Sequence, residues 1–256
     1  MKRVLTALVL IPVFAYLILG APDVLFQAAA AAVAIVCFRE FAHLVSLHEI
    51  QKPGVFGYAA GLVVLLLPQR ETALIVVMAL LAMALALRSR DLTETLPYAA
   101  ALILGVLYIF GSLRCAIDLR AMSRYWVFFA LSLNWVGDIA ALYVGRAIGR
   151  HKLAPRVSPA KSWEGAIASV AASLIYAALY FPKLLPSVPL AEALGITVAG
   201  NIAGQFGDLC ESALKRGAGV KDSGSFLPGH GGWLDRIDSG LFALPVVYLL
   251  ASSVRV

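Results

Sequence analysis

Long runs of apolar residues dominate the chain, and most polar residues are concentrated between them. Runs such as 72–88 show no alternation of apolar and polar positions, which favours helices over the strands of a membrane barrel. A helix needs roughly 20 mostly apolar residues to cross a hydrocarbon layer about 30 Å thick. The pattern predicts about nine membrane spans, near residues 4–20, 24–45, 55–68, 72–88, 97–113, 125–145, 164–181, 189–209 and 237–252.

Composition agrees with this pattern. Of the 256 residues, 61% are hydrophobic and 14% are charged, whereas a soluble domain carries roughly 25% charged residues. The first run resembles a signal peptide, but Ile18 and Leu19 stand where a cleavage site needs small residues. We therefore predict an uncleaved first span and an all-α, polytopic membrane protein.

The basic residues predict an orientation, because loops rich in Lys and Arg stay on the cytoplasmic side of a membrane. With Lys2 and Arg3 in the cytoplasm, the basic loops at 146–161 and 215–236 share that side. Three arginines are exceptions and would lie outside: Arg114, Arg120 and Arg124. The net charge of +6 thus indicates topology and anionic ligands and does not indicate a nucleic-acid partner.

Polar residues are distributed unequally between the two halves of the chain. Residues 1–125 carry few of them, while 134–165 and 201–239 hold most of the groups with useful chemistry. We predict one integrated membrane domain, with a transmembrane scaffold over 1–125 and a catalytic region over 126–256.

A first polar cluster lies at the end of the eighth predicted span. Asp208, Glu211, Ser212 and Lys215 have the spacing i, i+3, i+4 and i+7, which puts them on one face of a continuous helix. Acidic groups near membrane depth are costly and usually mark a site or pathway. The alternative is an amphipathic helix end whose charges reach water.

A second cluster follows a glycine-rich segment over residues 221–240. Asp235 and Asp238 would share a face of a helix beginning near Gly232, close to its positive N-terminal end. With Asp208 they make three converging carboxylates, and oxygen ligands favour magnesium or calcium over zinc. The alternative is that the two aspartates cap the helix and pair with Arg236.

A third cluster occupies residues 133–166. Asp138 lies one turn after Asn134 in an apolar span, and it is either a buried structural carboxylate or part of a site. Ser158 and Pro159 are typical of a helix start, which would place Lys161 and Ser162 at an anion-binding N-terminus. The loop is also rich in cations suited to polyphosphate, namely Arg146, Arg150, Lys152 and Lys161. The alternative is that this patch only sets the topology.

Acidic metal ligands and basic loops on one side of a membrane describe phosphoryl or nucleotidyl transfer to a lipid substrate. His230 is compatible with a general base, a phosphate donor or a residue that fixes the loop. A secondary transporter using Asp138, Asp208 and Asp235 is a rival, although transporters usually show paired halves. An enzyme acting on another nucleotide or lipid phosphate is a second rival.

The segment 212–238 closely resembles the signature of the phosphatidate cytidylyltransferase (CDP-diacylglycerol synthase) family, and we call it the signature segment. The matching positions are Ser212, Lys215, Arg216, Lys221, Asp222, His230, Gly231, Gly232, Asp235, Arg236 and Asp238. Residues 134–166 give weaker support, and Ser162 stands there where threonine is common.

This resemblance implies Mg²⁺-dependent transfer of the cytidylyl group of CTP to phosphatidic acid. By the family pattern, Asp208 and Asp235 bind the metal. The other members of the polar pocket would be Asp238, Glu211, Ser212, Lys215 and Lys221. The family also implies a homodimer in the inner membrane whose polar cavity faces the cytoplasm.

The resemblance and the charge pattern together suggest a division of labour. Lys215, Arg216 and Lys221 would offset charge on the triphosphate or the leaving pyrophosphate. Further substrate contacts would come from the 146–162 loop and the rest of the signature, with the candidates Arg146, Lys152, Lys161, Ser162, Glu211, Ser212, Asp222, His230 and Arg236.

Overall fold

The structure is a computed structural model that describes residues 12–67, 71–88, 91–226 and 231–254. Part of the first predicted span, including Lys2 and Arg3, lies outside these residues, and so does His230. The described chain is mostly helical, in agreement with the predicted all-α class. The helices are α1 (described over 12–19), α2 (Asp23–Leu47), α3 (Val55–Leu66), α4 (Glu71–Ala86), α5 (Thr95–Gly105), α6 (Ser112–Met122), α7 (Arg124–Ile148), α8 (Trp163–Leu184), α9 (Leu190–Gly217) and α10 (Leu234–Ala251).

Several helical segments are long and apolar enough to cross a membrane. They are Asp23–Leu47, Leu92–Met122, Arg124–Ile148 and Trp163–Leu184. The second of these is continuous because a 3₁₀ turn at Leu92–Glu94 precedes α5 and a π-helical turn at Val106–Gly111 joins α5 to α6. The protein is therefore a multi-pass membrane protein, whereas the predicted number of nine spans stays a prediction.

The segment before α8 differs from its prediction. Residues Lys152–Ala154 (β1) and Ser158–Ser162 (β2) form an antiparallel hairpin. The predicted helix start at Ser158 and Pro159 is wrong, because α8 begins at Trp163 and Ser162 is its N-cap, with its Oγ accepting a hydrogen bond from the Gly165 N–H at 3.2 Å. Pro159 is tolerated because both strands of a two-stranded hairpin are edge strands.

The three arginines that violate the charge rule have a structural role. Arg114 donates to the carbonyls of Leu65 and Leu67 at the C-terminal end of α3. Arg120 and Arg124 donate to backbone carbonyls in the last turn of α1, those of Leu17, Ile18 and Leu19. Cations at helix C-termini satisfy carbonyls that have no helical partner. These arginines therefore do not require a cytoplasmic loop.

The chain divides into two compact units. Unit 1 contains the described residues of 21–114 and 214–236. Its core is aromatic, with the rings of Phe38 and Phe110 5.4 Å apart. A Cβ added at Gly61 would lie only 2.3 Å from the nearest atoms of the Phe110 ring. This close packing holds the second half of α2, which carries several polar side chains.

Unit 2 contains the described residues of 11–20, 115–213 and 237–256. Phe129 and Phe181 join α7 to α8 with ring centroids 4.7 Å apart. A buried polar layer lies beside them, in which the Asn201 amide donates to the hydroxyls of Ser169 and Ser173 at 3.0 and 2.9 Å. Such satisfied polar groups fix the register of apolar helices.

Candidate active site

A buried ion pair organises the part of the signature segment that belongs to unit 1. Lys215 Nζ, in the last turn of α9, lies 2.5 Å from Asp235 Oδ1, and the two side chains are only 9% and 5% exposed. The second carboxylate oxygen of Asp235 accepts hydrogen bonds from Ser223 N–H, Ser223 Oγ and Gly232 N–H at 3.0, 3.1 and 2.8 Å. Four donors therefore surround one carboxylate, which is well positioned and ionised.

Asp235 lies before the predicted span 237–252, and opposing influences act on its pKa. Burial alone would raise the pKa of this carboxyl, but the hydrogen bond from Lys215 and those from the backbone of Gly232 and Ser223 outweigh burial and lower it. Asp235 is therefore charged at neutral pH.

Glu40 on α2 is a second buried carboxylate in this network, with 4% exposure. It accepts hydrogen bonds from Trp233 N–H at 3.1 Å and from Leu234 N–H at 2.9 Å. Its Oε2 also lies 3.0 Å from Ser223 Oγ, so Glu40 and Asp235 share the one hydroxyl proton of Ser223. The sequence analysis did not select Glu40 as a site residue. The sequence feature that could have identified it is its position as an acidic residue within the second predicted span, 24–45.

The glycines of the signature segment allow these carboxylates to approach the backbone. A Cβ at Gly232 would lie 2.1 Å from Ser223 Oγ and 2.4 Å from Glu40 Oε2, and Gly231 has a φ of +79°. Side chains are excluded at the first position and strained at the second. Glu40 and Asp235 thus approach this backbone closely.

A second lysine–aspartate pair lies in unit 2. Lys161 Nζ contacts Asp208 Oδ2, with side-chain exposures of 27% and 34%. Ser212 Oγ donates to Asp208 Oδ1 at 3.3 Å. This contact confirms the predicted common face of Asp208 and Ser212, because α9 continues as a helix to Gly217.

The Lys161–Asp208 pair borders a cavity of about 230 Å³ that we call the small cavity. Asp138 from α7 and Ser162 and Gln205 also line it. The sequence left open whether Asp138 is structural or part of a site. The structure brings it to the same cavity as Asp208, so two carboxylates and a lysine meet there.

The remaining predicted site residues fall into two groups. Exposed ones are Arg146, Lys152, Arg216, Lys221, Asp222 and Arg236. Glu211 and Asp238 are buried, at 0% and 8% exposure. Asp238 Oδ1 accepts from the Ser239 N–H at 2.7 Å, and no ion pair between Arg236 and a neighbouring aspartate is found in the described residues.

The two predicted magnesium ligands differ in how well their present surroundings suit a cation. Asp208 is partly exposed and shares the small cavity with a second carboxylate, which is the oxygen-rich setting that Mg²⁺ prefers. Asp235 fits a metal only if the ammonium of Lys215 gives way, because its other oxygen already accepts three hydrogen bonds. Within the described ranges, no three His, Cys, Asp or Glu side chains are clustered as a metal site.

Comparison with known proteins identifies the family. The sequence model of the cytidylyltransferase family matches residues 1–254. The chain is 34% identical to the phosphatidate cytidylyltransferase of Staphylococcus aureus (strain COL), with 97% of each chain covered. It is 33% identical to the protein of that name from Bacillus subtilis (strain 168), covering 97% of this chain and 96% of the relative. The chain therefore belongs to the cytidylyltransferase family.

Proposed function

We propose that this protein transfers the cytidylyl group of CTP to phosphatidic acid, releasing pyrophosphate and forming CDP-diacylglycerol. The observation that carries this proposal is the match over 97% of the chain to relatives named phosphatidate cytidylyltransferase. The match includes the signature segment, whose Lys215–Asp235 pair is buried and well positioned. A lipid substrate suits a multi-pass membrane protein.

In this reaction a phosphate oxygen of phosphatidic acid attacks the α-phosphorus of CTP. The bond from the α-phosphorus to the oxygen that it shares with the β-phosphorus breaks, and pyrophosphate leaves with the electron pair of that bond. The protein's contribution is positioning and neutralisation of the phosphate charges, since phosphoryl-type transfer needs little covalent help.

Basic side chains would carry out most of that neutralisation. Lys161, already beside Asp208 in the small cavity, can exchange this partner for a phosphate oxygen at low cost because the pair is partly exposed. Arg216 and Lys221 are exposed and able to contact the triphosphate or the leaving pyrophosphate. Lys215 would leave Asp235 when that carboxylate binds the metal, and its ammonium would then contact a phosphate oxygen.

Asp208 and Asp235 would hold the Mg²⁺ ion, whose chemistry would be to offset negative charge on the CTP phosphates. The other predicted pocket members would support these groups: Asp238, Glu211, Ser212, Asp222, His230 and Arg236. The hairpin residue Lys152 and Arg146 at the end of α7 would attract an anionic substrate, and Ser162 would keep the start of α8 in place.

We further propose that the protein is a homodimer in the inner membrane, with about nine spans and a polar cavity that faces the cytoplasm. The basic loops at 146–161 and 215–236 support this orientation. Three arginines lie outside these loops, but they donate to helix carbonyls and so do not oppose this orientation: Arg114, Arg120 and Arg124.

The deciding experiment measures transfer of label from [α-³²P]CTP to lipid by the purified protein, using a panel of nucleotides and lipid phosphates with varied Mg²⁺. Label should appear in lipid with CTP and phosphatidic acid and should require Mg²⁺. Ion-driven solute uptake into liposomes without any label transfer would instead support a transporter. Transfer only with another nucleotide or lipid would support the rival enzyme.

The role of the basic loop is tested with Arg146→Ala and Lys152→Ala. Each should raise the apparent KM for an anionic substrate severalfold, because an exposed charge contributes up to about 1 kcal/mol. Lys183→Ala, an exposed lysine at the end of α8 outside these clusters, is the matched control. Unchanged KM values for both substrates would remove the loop from binding.

A further inference from the structure

Unit 1 contains a larger cavity, of about 770 Å³, whose basic lining residues have no role in the proposals above. We call it the large cavity. Its walls come from the second half of α2, the loop 52–54, the start of α3 and residues 220–226. Its volume falls in the range of roughly 300–1,000 Å³ that is usual for pockets holding organic ligands.

The large cavity is lined by basic side chains from two elements. Arg39 and His43 are one turn apart on α2, and Lys52 comes from the loop that follows. All three are exposed. Across the part of the chain that the structure describes, no carboxylate forms an ion pair with Arg39 or Lys52. Both cations are thus available to an anionic ligand.

The carboxylate next to Arg39 in sequence has another role. Glu40 is buried and accepts hydrogen bonds from Ser223, Trp233 and Leu234, so it is occupied in holding the signature segment. The exposed carboxylate of the lining, Asp222, can accept a hydrogen bond from the exocyclic amine of cytosine. The lining therefore offers partners for both ends of a cytidine nucleotide.

The start of α3 adds a second attraction for anions at the same cavity. Gly54 lines the cavity and is the N-cap of α3, and no side chain caps this helix end. A Cβ at Gly54 would meet no atom within 4 Å, so the surrounding space is open. Uncapped N–H groups and the helix dipole favour phosphate at such a position.

We propose that the large cavity binds the nucleotide substrate, with Arg39, Lys52 and the N-terminus of α3 contacting its phosphates. The proposal rests on the proposed function and adds a nucleotide subsite on α2 and the α2–α3 loop. The volume favours a nucleotide over the bare phosphate of a lipid head group, and the half-buried ring of Tyr58 gives the wall an aromatic surface.

The test uses the full-length protein in detergent with the variants Arg39→Ala and Lys52→Ala. The Kd of labelled CTP is measured by equilibrium dialysis without lipid, and the KM values of CTP and phosphatidic acid are measured in the transfer assay. Each variant should weaken CTP binding about tenfold, because a charge-assisted contact to phosphate is lost. The KM of phosphatidic acid should not change.

Lys183→Ala removes an exposed lysine far from these roles in sequence and should leave CTP binding unchanged. Thermal unfolding of each variant checks the fold, and Lys52 in an exposed loop keeps the test informative if Arg39→Ala is unstable. Arg39→Lys should recover part of the affinity.

The outcomes separate the two proposals. A raised KM for phosphatidic acid with unchanged CTP binding would assign the large cavity to the lipid phosphate and overturn the nucleotide subsite. Unchanged values for both substrates in well-folded variants would overturn it as well, while transfer by the parent protein would leave the proposed function standing. If the parent transfers no label, the proposed function fails, and dialysis still reports whether the cavity binds CTP.

Discussion

Two lysine–aspartate pairs have the same chemistry in different surroundings. Lys215 and Asp235, the buried pair, are 9% and 5% exposed, and three further hydrogen bonds hold the aspartate. Lys161 and Asp208, the open pair, are 27% and 34% exposed and border the small cavity. The proposed function gives the aspartates of both pairs a role as magnesium ligands.

The difference in exposure indicates which pair can exchange a partner for a ligand. A buried pair whose remaining oxygen is already satisfied is a fixed part of the structure, because removing one partner leaves a charge in a dry environment. A partly exposed pair can exchange its lysine for a metal ion or its aspartate for a phosphate at little cost. We infer that the buried pair shapes the signature segment and the open pair meets ligands first.

The largest effect is expected from Asp235→Asn. This change leaves the buried ammonium of Lys215 without its counter-charge, so the free energy of unfolding should fall by about 3–5 kcal/mol. CTP-dependent transfer should be lost as well. Denaturant unfolding in detergent and the transfer assay measure the two effects.

The matched control for this prediction is the double variant Lys215→Met with Asp235→Leu. Replacing both charges with apolar groups should recover much of the lost stability, as it often does for buried pairs. Transfer should not return, because the proposed reaction uses both charges. An Asp235→Asn protein that is as stable and as active as the parent would contradict the distinction between the two pairs.

Asp208→Asn should separate activity from stability in the open pair. The free energy of unfolding should change by less than about 1 kcal/mol, since partly exposed pairs contribute little. Transfer should fall on the order of 100-fold, with a higher Mg²⁺ requirement, if Asp208 is a metal ligand. Rates are measured across a Mg²⁺ titration.

Asp91→Asn is the control for Asp208→Asn, because Asp91 is an exposed aspartate that accepts a hydrogen bond from the Thr93 N–H and lies outside every proposed site. It should behave as the parent does. Normal rates and an unchanged Mg²⁺ dependence in Asp208→Asn would exclude this residue as a ligand.

Local patterns predicted much of the fold. The spans 24–45, 125–145 and 164–181 correspond to α2, α7 and α8 within a few residues. Hydropathy ended the eighth span at 209, because it marks only the apolar part of a helix. The helical spacing from Asp208 to Lys215 indicated the extension that α9 makes to Gly217. The β1–β2 hairpin, whose paired residues are four and ten apart, was missed because the Ser158-Pro159 motif is also typical of a helix start.

The site was predicted where its contacts are local in sequence. Helical spacing placed Ser212 beside Asp208, and the hydrogen bond between them follows. The partner of Asp235 is Lys215, 20 residues away, and Ser223 meets Glu40 across 183 residues. Contacts of this range depend on how unit 1 packs, so periodicity carries no information about them.

Glu40→Gln should have an effect of intermediate size on stability and on turnover. The two carboxylate oxygens accept from the backbone N–H groups of Trp233 and Leu234. In a glutamine, the amide NH₂ would replace one of these oxygens and face an N–H group that is also a donor, which costs about 1–3 kcal/mol when buried. We expect a lower free energy of unfolding and a moderate loss of turnover, about tenfold, because Asp235 would be less well positioned. Glu192→Gln, at an exposed position in the first turn of α9, should change neither quantity. Parent-like stability in Glu40→Gln would show that the signature segment does not depend on this carboxylate.

The smallest effect is expected from Lys161→Ala, which removes the lysine of the open pair. Lys215→Ala, which removes the lysine of the buried pair, is the comparison. The free energy of unfolding should change by less than about 1 kcal/mol in Lys161→Ala, since water can solvate the partly exposed Asp208 that remains. The KM of one anionic substrate should rise severalfold, because a cation of the small cavity is lost. In Lys215→Ala the unfolding free energy should instead fall by about 3–5 kcal/mol. Equal losses of stability in the two variants would mean that exposure does not distinguish the pairs, and the assignment of ligand exchange to Asp208 and Lys161 would then have no physical basis.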